Sequence, residues 1–511
     1  MTHNRKIDVF INLCSNILSF IISAAIGFFL SPYIIKHLGA EANGFTQLAN
    51  NIITYASLLT TALNSMAARF MSIEYHCGNI EEVKKYYSSL IVGNSIIVFV
   101  LFILSGVFIG SLETIINIGN ENIVDIKLLF GLVFLNFFIT QACSVFSTST
   151  YVTNKLYYHN AVNAVGSILK VFILIALFGL LKPQMYYVSL AGVIISIFTL
   201  FVNALLKRKL LPGIIFKKKY FNFKYILKLI SSGIWNTVNQ CGNILMTGLD
   251  LLLANIFINP YEMGMMSVAK MIPNHIIQLA GMVNNNFSPD LTITYATSGK
   301  NEVVDRLRWS MKISSVFVSI PIAILIVFGS SFYKLWVPSL DSDKLVILSF
   351  LSCMAFVPFA GPQTLYNVYT TTNKLKINSL TVILGGFINI LFVYILLKFT
   401  SLGVYAVAGV SSVVSIVRNL IVTVPYTAKI LKLKWYEFYK DVLISCICFG
   451  VVFIISVIMK NIINCNGWIT LICSVAASAA IGFFVEIILL LSKNERKIIF
   501  MKLIKRGRNN G

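Results

Sequence analysis

Residues 231–285 place amides, the Asp250 carboxylate and the Lys270 ammonium at helical intervals inside a largely apolar stretch. Asn236, Asn239, Gln240, Asn243, Thr247 and Asp250 are spaced to fall on one face of an α-helix. Lys270, Asn274, Gln278 and Asn285 do the same on a second helix, after a short turn at Asn259, Pro260 and Tyr261. Hydrocarbon offers such groups no hydrogen bonds, so both stripes must face protein or water. The chemistry they suit is recognition of a polar ligand in a hydrated cavity, not bond making. Asp250 lies ten residues before Pro260 and Lys270 ten after. An antiparallel hairpin would set both at one depth, about 15 Å from the turn. A lone charge at mid-membrane costs roughly 2.5–3.5 kcal/mol and a pair costs less, so the two are expected to face each other. Two readings stay open, a structural lock for the hairpin and a role in transport.

The elements that carry these groups must be membrane helices. Of 511 residues, 57% are hydrophobic and 12% charged, with a mean hydropathy of +0.82. That balance excludes a soluble domain and reads as an all-α polytopic membrane protein. The net charge of +22 would suggest nucleic acid in a soluble chain. Here it belongs to loops, and no basic-aromatic groove calls for nucleic acid. About fourteen spans are expected, near 10–31, 43–68, 88–111, 126–150, 160–181, 185–206, 226–258, 262–287, 311–332, 344–370, 377–398, 402–425, 440–460 and 467–491. With the N-terminus inside, 31 of the 41 Lys and Arg fall on inside segments and seven on outside ones. Both termini are therefore expected on the cytoplasmic side. Arg5 and Lys6 ahead of the apolar run 10–30 read as an uncleaved first helix rather than a signal peptide.

The chain also repeats itself. At a shift of 220, Gly44 falls on Gly264, Asn64 on Asn284 and Glu82-Val83 on Glu302-Val303. At a shift of 219, Thr153-Asn154-Lys155-Leu156 falls on Thr372-Asn373-Lys374-Leu375. Six spans per half keep the halves in one orientation, which gives parallel repeats. The expected organisation is an N-lobe at 1–206, a basic cytoplasmic linker at 207–225, a C-lobe at 226–425, and two extra spans with a basic cytoplasmic tail at 426–511. The repeat asks for a second polar hairpin in the first half. Asn12, Asn16, Ser19, Ser23 and Gly27 supply a weak stripe, and Gln47, Asn50, Asn51, Thr54, Thr61 and Asn64 a stronger one. The fourth and tenth spans add polar faces at Thr140, Gln141, Ser144 and Ser147, and at Gln363, Thr364, Asn367 and Thr370. Spans one, two, seven and eight are expected to line one cavity.

Four prolines, Pro273, Pro321, Pro358 and Pro362, lie inside spans of the second half and should bend them. Lys170 sits too deep to snorkel and is a candidate cavity cation, whereas Arg418 and Glu486 are expected to snorkel to the inner interface. His275 is expected neutral and hydrogen-bonded. Most of the nine cysteines fall in apolar spans without metal or disulfide spacing and read as filler. No Walker loop, His-Glu-x-x-His pair or nucleophile elbow is present. No catalytic residue, metal or other cofactor is expected. If transport is coupled to an ion, the choice between H+ and Na+ stays open.

The stretch Tyr33-Ile-Ile-Lys-His-Leu-Gly-Ala-Glu-Ala-Asn-Gly-Phe45, with Ala67-Ala68-Arg69-Phe70 and the acidic-basic run 81–85, resembles the N-terminal signature of Wzx-type polysaccharide transporters. These belong to the multidrug/oligosaccharidyl-lipid/polysaccharide exporter superfamily. The resemblance covers essentially the whole chain. It implies a MATE-like fold of two six-helix lobes plus two helices. It also implies an O-antigen-flippase type of activity, in which undecaprenyl-pyrophosphate-linked oligosaccharide is turned across the inner membrane by alternating access. The product would feed O-antigen (lipopolysaccharide), capsule or exopolysaccharide synthesis. Partners would be the lipid-linked oligosaccharide, the lipid bilayer, a polysaccharide polymerase and a chain-length regulator. Lys170 and Lys270 match a cationic cavity, although neutralisation of Lys270 by Asp250 would weaken that match. The alternatives are a multidrug or cation antiporter of the same fold and a membrane glycosyltransferase or polymerase. Asn/Gln-rich walls with few carboxylates favour sugar over a cationic drug, and short outside loops disfavour the enzyme.

Overall fold

A chain this apolar must satisfy its backbone within each segment, and helices do that. The computed structural model describes residues 2–119, 121–297, 300–372, 374–463 and 465–490. Side chains are described from Ser15 onward, save at 16–17, 20, 23–24, 285–286, 289–290, 296–297 and 300. Asn12, Asn16, Ser23 and Asn285 therefore lie outside the described side chains. Every regular element among the described residues is helical.

The order begins with α1 (Thr2–His76), α2 (Ile80–Gly110), the single turn α3 (Leu112–Ile115), α4 (Ile123–Val152), α5 (Leu156–Leu180) and α6 (Tyr187–Leu210). It continues with α7 (Phe223–Asn243), α8 (Asp250–Phe257), α9 (Pro260–Ala269), α10 (Met271–Thr297), α11 (Lys300–Trp336) and α12 (Ser342–Cys353). Then come α13 (Phe356–Phe359), α14 (Tyr366–Thr371), α15 (Leu375–Phe399), α16 (Val404–Arg418), α17 (Val424–Ile430), α18 (Tyr439–Ile462) and α19 (Trp468–Leu490). Among the described residues, nine helices are long and apolar enough to cross a membrane unaided. The other expected spans are the interrupted ones: the two arms of α1, α7–α8, α9–α10 and α12–α14. The second arm of α1, α7–α8, α9–α10 and α12–α14 carry the expected Asn and Gln stripes, which lower their hydropathy.

The interruptions have local causes. Gly39 adopts φ 86, ψ 172 and splits α1 into arms 2–38 and 40–76; only glycine takes that conformation at little cost. Pro273 cannot donate to the carbonyl of Ala269 four residues back. The helix breaks at Lys270, and the Ser349 hydroxyl donates to the freed Ala269 carbonyl at 2.8 Å. A π turn, Ile244–Gly248, joins α7 to α8, and another, Asn419–Thr423, joins α16 to α17.

The chain divides into two compact units, Met1–Val268 and Ala269–Gly511. In the first, the second arm of α1 packs against α2, α4 and α7, and α4 packs against α6. Its core at the basic-loop end holds Leu63, Val83, Tyr86, Leu90, Leu211 and Leu229. In the second, α11 packs against α10, α12, α18 and α19, and α15 pairs with α16. Its matching core holds Val303, Leu307, Val368, Ala428, Leu431 and Phe438. Val83 and Val303 thus occupy corresponding places, as do Leu211 and Leu431. The repeated turn also recurs in detail. Lys155 N donates to Thr150 O at 2.7 Å and Lys374 N to Tyr369 O at 2.8 Å, with near-identical backbone angles at the two lysines. The fold is the expected all-α, two-repeat membrane architecture.

Within the first unit, α1 and α9 cross at two glycines that the repeat equates. A Cβ on Gly44 would lie 3.0 Å from Gly264 Cα, and one on Gly264 would lie 2.5 Å from Ala40 O and 2.6 Å from its carbonyl carbon. Small residues let membrane helices approach this closely. Gly264→Val is expected to destabilise the protein by about 3 kcal/mol or more, because the obstructing atoms are backbone. Thermal unfolding in detergent should show it, and an unchanged Tm would mean that the crossing relaxes freely.

Candidate functional site

Polar residues in these helices fall into two kinds, those spent inside a unit and those left at its surface. Asn64 is of the first kind. Its Nδ2 donates to Gln141 Oε1 at 3.2 Å, and Asn94 Nδ2 donates to its Oδ1 at 2.9 Å. Gln141 Nε2 goes on to Thr60 Oγ1 at 3.1 Å. Three helices, α1, α2 and α4, are tied by this one amide. The second unit builds the counterpart at Asn284, which donates to Gln363 Oε1 at 3.0 Å and accepts from Ser314 Oγ at 3.1 Å. Asn64 therefore braces its unit, and its amide is not turned to a ligand. Asn64→Ala strands Gln141 and Asn94 and should cost about 1–3 kcal/mol. Asn284→Ala should cost a similar amount, and the two effects should add, since they lie in separate networks. Chemical unfolding of the two single variants and the double variant measures this.

The second kind lines the second arm of α1 and the α7–α8 segment, which pack together in the first unit. Asn50, Asn236, Asn243 and Thr247 are exposed, while Gln47, Asn51, Asn239 and Gln240 are half-buried. Asn236 Nδ2 reaches Ser65 Oγ at 3.4 Å. At the π turn, Leu249 N bonds Ile244 O, five residues back, at 3.1 Å. Tyr55 OH donates to Gly248 O at 2.5 Å and Asn51 Nδ2 to the same oxygen at 3.5 Å. π turns of this kind concentrate at functional sites.

The extra residue in that turn also rotates the helix beyond it. Asp250 does not continue the exposed stripe of Asn236 and Asn243 but is 2% exposed, within electrostatic reach of Tyr55. The single-face reading assumed an unbroken α-helix, and the π turn is why it fails at its last member. Tyr55 is a site residue that the sequence pattern had offered, four positions after Asn51, without its being singled out.

In the second unit, Lys270 is half-buried at the break between α9 and α10, and Asn274 and Gln278 are exposed one and two turns on. His275 is half-buried. Lys170 in the first unit lies on the inward row of α5, between the buried Gly166 and Leu174. It makes no hydrogen bond or ion pair with another described residue.

Arg418 and Glu486 do not snorkel. The segment carrying Arg418 runs on to Ile430, so its guanidinium sits near mid-segment and not near the end. Its Nη2 donates to Tyr366 OH at 2.5 Å and to Asn419 Oδ1 at 2.9 Å. Glu486 is fully buried and accepts from Ser319 Oγ at 2.7 Å. Local hydropathy placed the span ends too early for the first and could not see the tertiary partner of the second. Among the described residues, no three His, Cys, Asp or Glu side chains could hold a metal ion.

A family model described as polysaccharide biosynthesis protein matches residues 9–285, more than half of the chain. The chain belongs to the polysaccharide biosynthesis protein family. The matched region takes in the Gly39 turn, the Gly44–Gly264 crossing and the whole polar face of α1 and α7. Across its length the chain is 25% identical to "Uncharacterized membrane protein EpsK" of Bacillus subtilis (strain 168), over 499 residues, covering 97% of this chain and 98% of the relative. Its fold is similar to a solved structure titled "Lipid II flippase MurJ, inward closed conformation", with TM-score 0.68, 16% identity and coverage of 93% of this chain and 99% of that one. It is also similar to an inward-facing multidrug resistance MATE family transporter of the MOP superfamily, with TM-score 0.69, 12% identity and coverage of 83% and 98%. This member of the polysaccharide biosynthesis family is thus a multi-pass membrane protein with a MATE-like fold.

Proposed function

We propose that the protein is a flippase for lipid-linked oligosaccharides. It carries undecaprenyl-pyrophosphate-linked repeat units across the bacterial inner membrane by alternating access, with both termini cytoplasmic, and feeds surface polysaccharide synthesis. O-antigen, capsule and exopolysaccharide are the product classes, with a polymerase and a chain-length regulator downstream. The observation that carries this reading is the exposed polar wall of Asn50, Asn236, Asn243 and Thr247, three amides and a hydroxyl, on helices that must sit in a membrane. Uncharged polar groups outside the protein core, which hydrocarbon cannot satisfy, are matched to a ligand rich in hydroxyl groups. In the first unit Lys170 is assigned a ligand-facing role and Asp250, buried off the exposed stripe within reach of Tyr55, a supporting one; in the second unit Lys270, Asn274 and Gln278 are assigned as further polar members. The titles of the relatives agree with a lipid-linked sugar substrate, since one names a lipid II flippase and the family is one of polysaccharide biosynthesis. The protein supplies binding and passage, and no covalent step.

The test is reconstitution. Purified protein in vesicles should expose an inner-leaflet undecaprenyl-diphosphate oligosaccharide to a membrane-impermeant sugar-modifying reagent added outside. Exposure no faster than in protein-free vesicles would refute the proposal. Efflux of a cationic dye in place of sugar-lipid flipping would assign the chain to the antiporters that share its fold.

A further inference from the structure

A groove runs along the second unit between α15 and α16. Leu384, Ile388 and Phe392 form one wall and Val410, Val413 and Val417 the other, around a volume of about 670 Å³. A second hollow of about 560 Å³ continues it, sharing Ile421 and Val422 at the π turn, and ends on Lys429, Lys432 and Trp435. Arg418 also lines the first groove, beside Ile421 and Val422, which the two hollows share. Its Nη2 is held by Tyr366 and Asn419, while its buried Nε makes no hydrogen bond among the described residues. No carboxylate pairs with Arg418 among the described residues. Lys429 and Lys432 are both exposed. The surface therefore offers a long apolar channel, then Arg418 and Lys429 along one helical segment, about 16 Å apart, and Lys432 in the turn just past its end.

Chain and charge together fix the occupant. A guanidinium held near mid-segment without a carboxylate suits an anion that arrives with its own apolar chain. The groove and the hollow share Ile421 and Val422, so a chain lying in the first leads to the cations of the second. Two lysines line that hollow together, which suits the two or more negative charges of a diphosphate better than the single charge of a phosphodiester.

We infer that this groove is a docking track for a polyprenyl diphosphate, with the isoprenoid chain along α15 and α16 and the diphosphate at Lys429 and Lys432, from where Arg418 receives it. The inference rests on the flippase reading and deepens it by naming where the lipid part of the substrate is held. As the head moves from the lysines to the arginine, the chain slides along an apolar wall that makes no directional bonds.

The experiment uses full-length protein in phosphatidylcholine nanodiscs and undecaprenyl diphosphate carrying a photoreactive group on its chain. Crosslinks should map to 384–417 and be lost to competition by unlabelled undecaprenyl diphosphate, but not by phosphatidylglycerol or cardiolipin. Arg418→Gln should weaken binding about tenfold. Ile421→Trp, at a residue 69% exposed and so harmless to folding, should obstruct the passage from groove to hollow and weaken binding by a similar factor. Crosslinks elsewhere on the protein, with reconstituted flipping intact, would overturn the groove and spare the flippase reading. Absence of both binding and flipping would overturn both. Equal competition by phosphatidylglycerol or cardiolipin would make the groove a seat for anionic phospholipid and overturn the inference.

Discussion

Joining α1 to α9 by a disulfide stops transport. Asn43 Nδ2 donates to Ser267 Oγ at 2.8 Å, and both residues are buried beside the Gly44–Gly264 crossing. Alternating access requires helices that close one end of the pathway to part during each cycle. The two glycines related by the repeat touch each other, so a cycle that parts the two repeats would have to open this crossing. Asn43→Cys with Ser267→Cys, in a background cleared of the nine native cysteines, should close under oxidant. Flipping should then fall by more than about tenfold and return when reductant is added, a barrier change above roughly 1.4 kcal/mol. Full crosslinking with undiminished flipping would show that α1 and α9 move as one body and that the cycle opens elsewhere.

The second large effect comes from making the amide wall apolar. Asn50, Asn236 and Asn243 are exposed, so the fold gains little from their amides. Among the described residues, Asn50 Nδ2 bonds only the carbonyl of Thr46 in its own helix, at 2.9 Å. Replacing all three by Leu should leave the Tm unchanged or slightly raised. It should lower flipping of the sugar-lipid by about a hundredfold, since each lost amide-to-hydroxyl contact contributes about 1 kcal/mol. The contrast is with Asn64→Ala, which should lower stability first. If the triple Leu variant flips normally, sugars do not meet this wall. If it fails to fold, the amides are structural, as Asn64 is.

Segment existence was legible because membrane insertion writes itself into local composition, and the turn Thr153-Asn154-Lys155-Leu156 announced the repeat by residue identity alone. Glu82-Val83 and Glu302-Val303 did the same, and each valine proves to be buried in the core of its unit. What escaped is set by tertiary pairing. Asn64 and Asn50 look alike in sequence, yet one is consumed by Gln141 and Asn94 and the other faces outward. No composition marks the π turn at Ile244–Gly248, so the register change that buries Asp250 could not be read. The break at Lys270 was half visible in Pro273, but its remedy, the Ser349 hydroxyl, lies far along the chain. Arg418 and Glu486 were misjudged for one reason: depth was counted from span ends drawn by hydropathy, and buried partners were invisible.

The measurement that bears most directly on lipid-linked oligosaccharide flipping is the fate of sugar-lipids in the native host after depletion of this protein. Complete repeat units on undecaprenyl diphosphate should accumulate on the inner leaflet while surface polysaccharide disappears. Unchanged sugar-lipids, or incomplete glycans already on the outer leaflet, would contradict it.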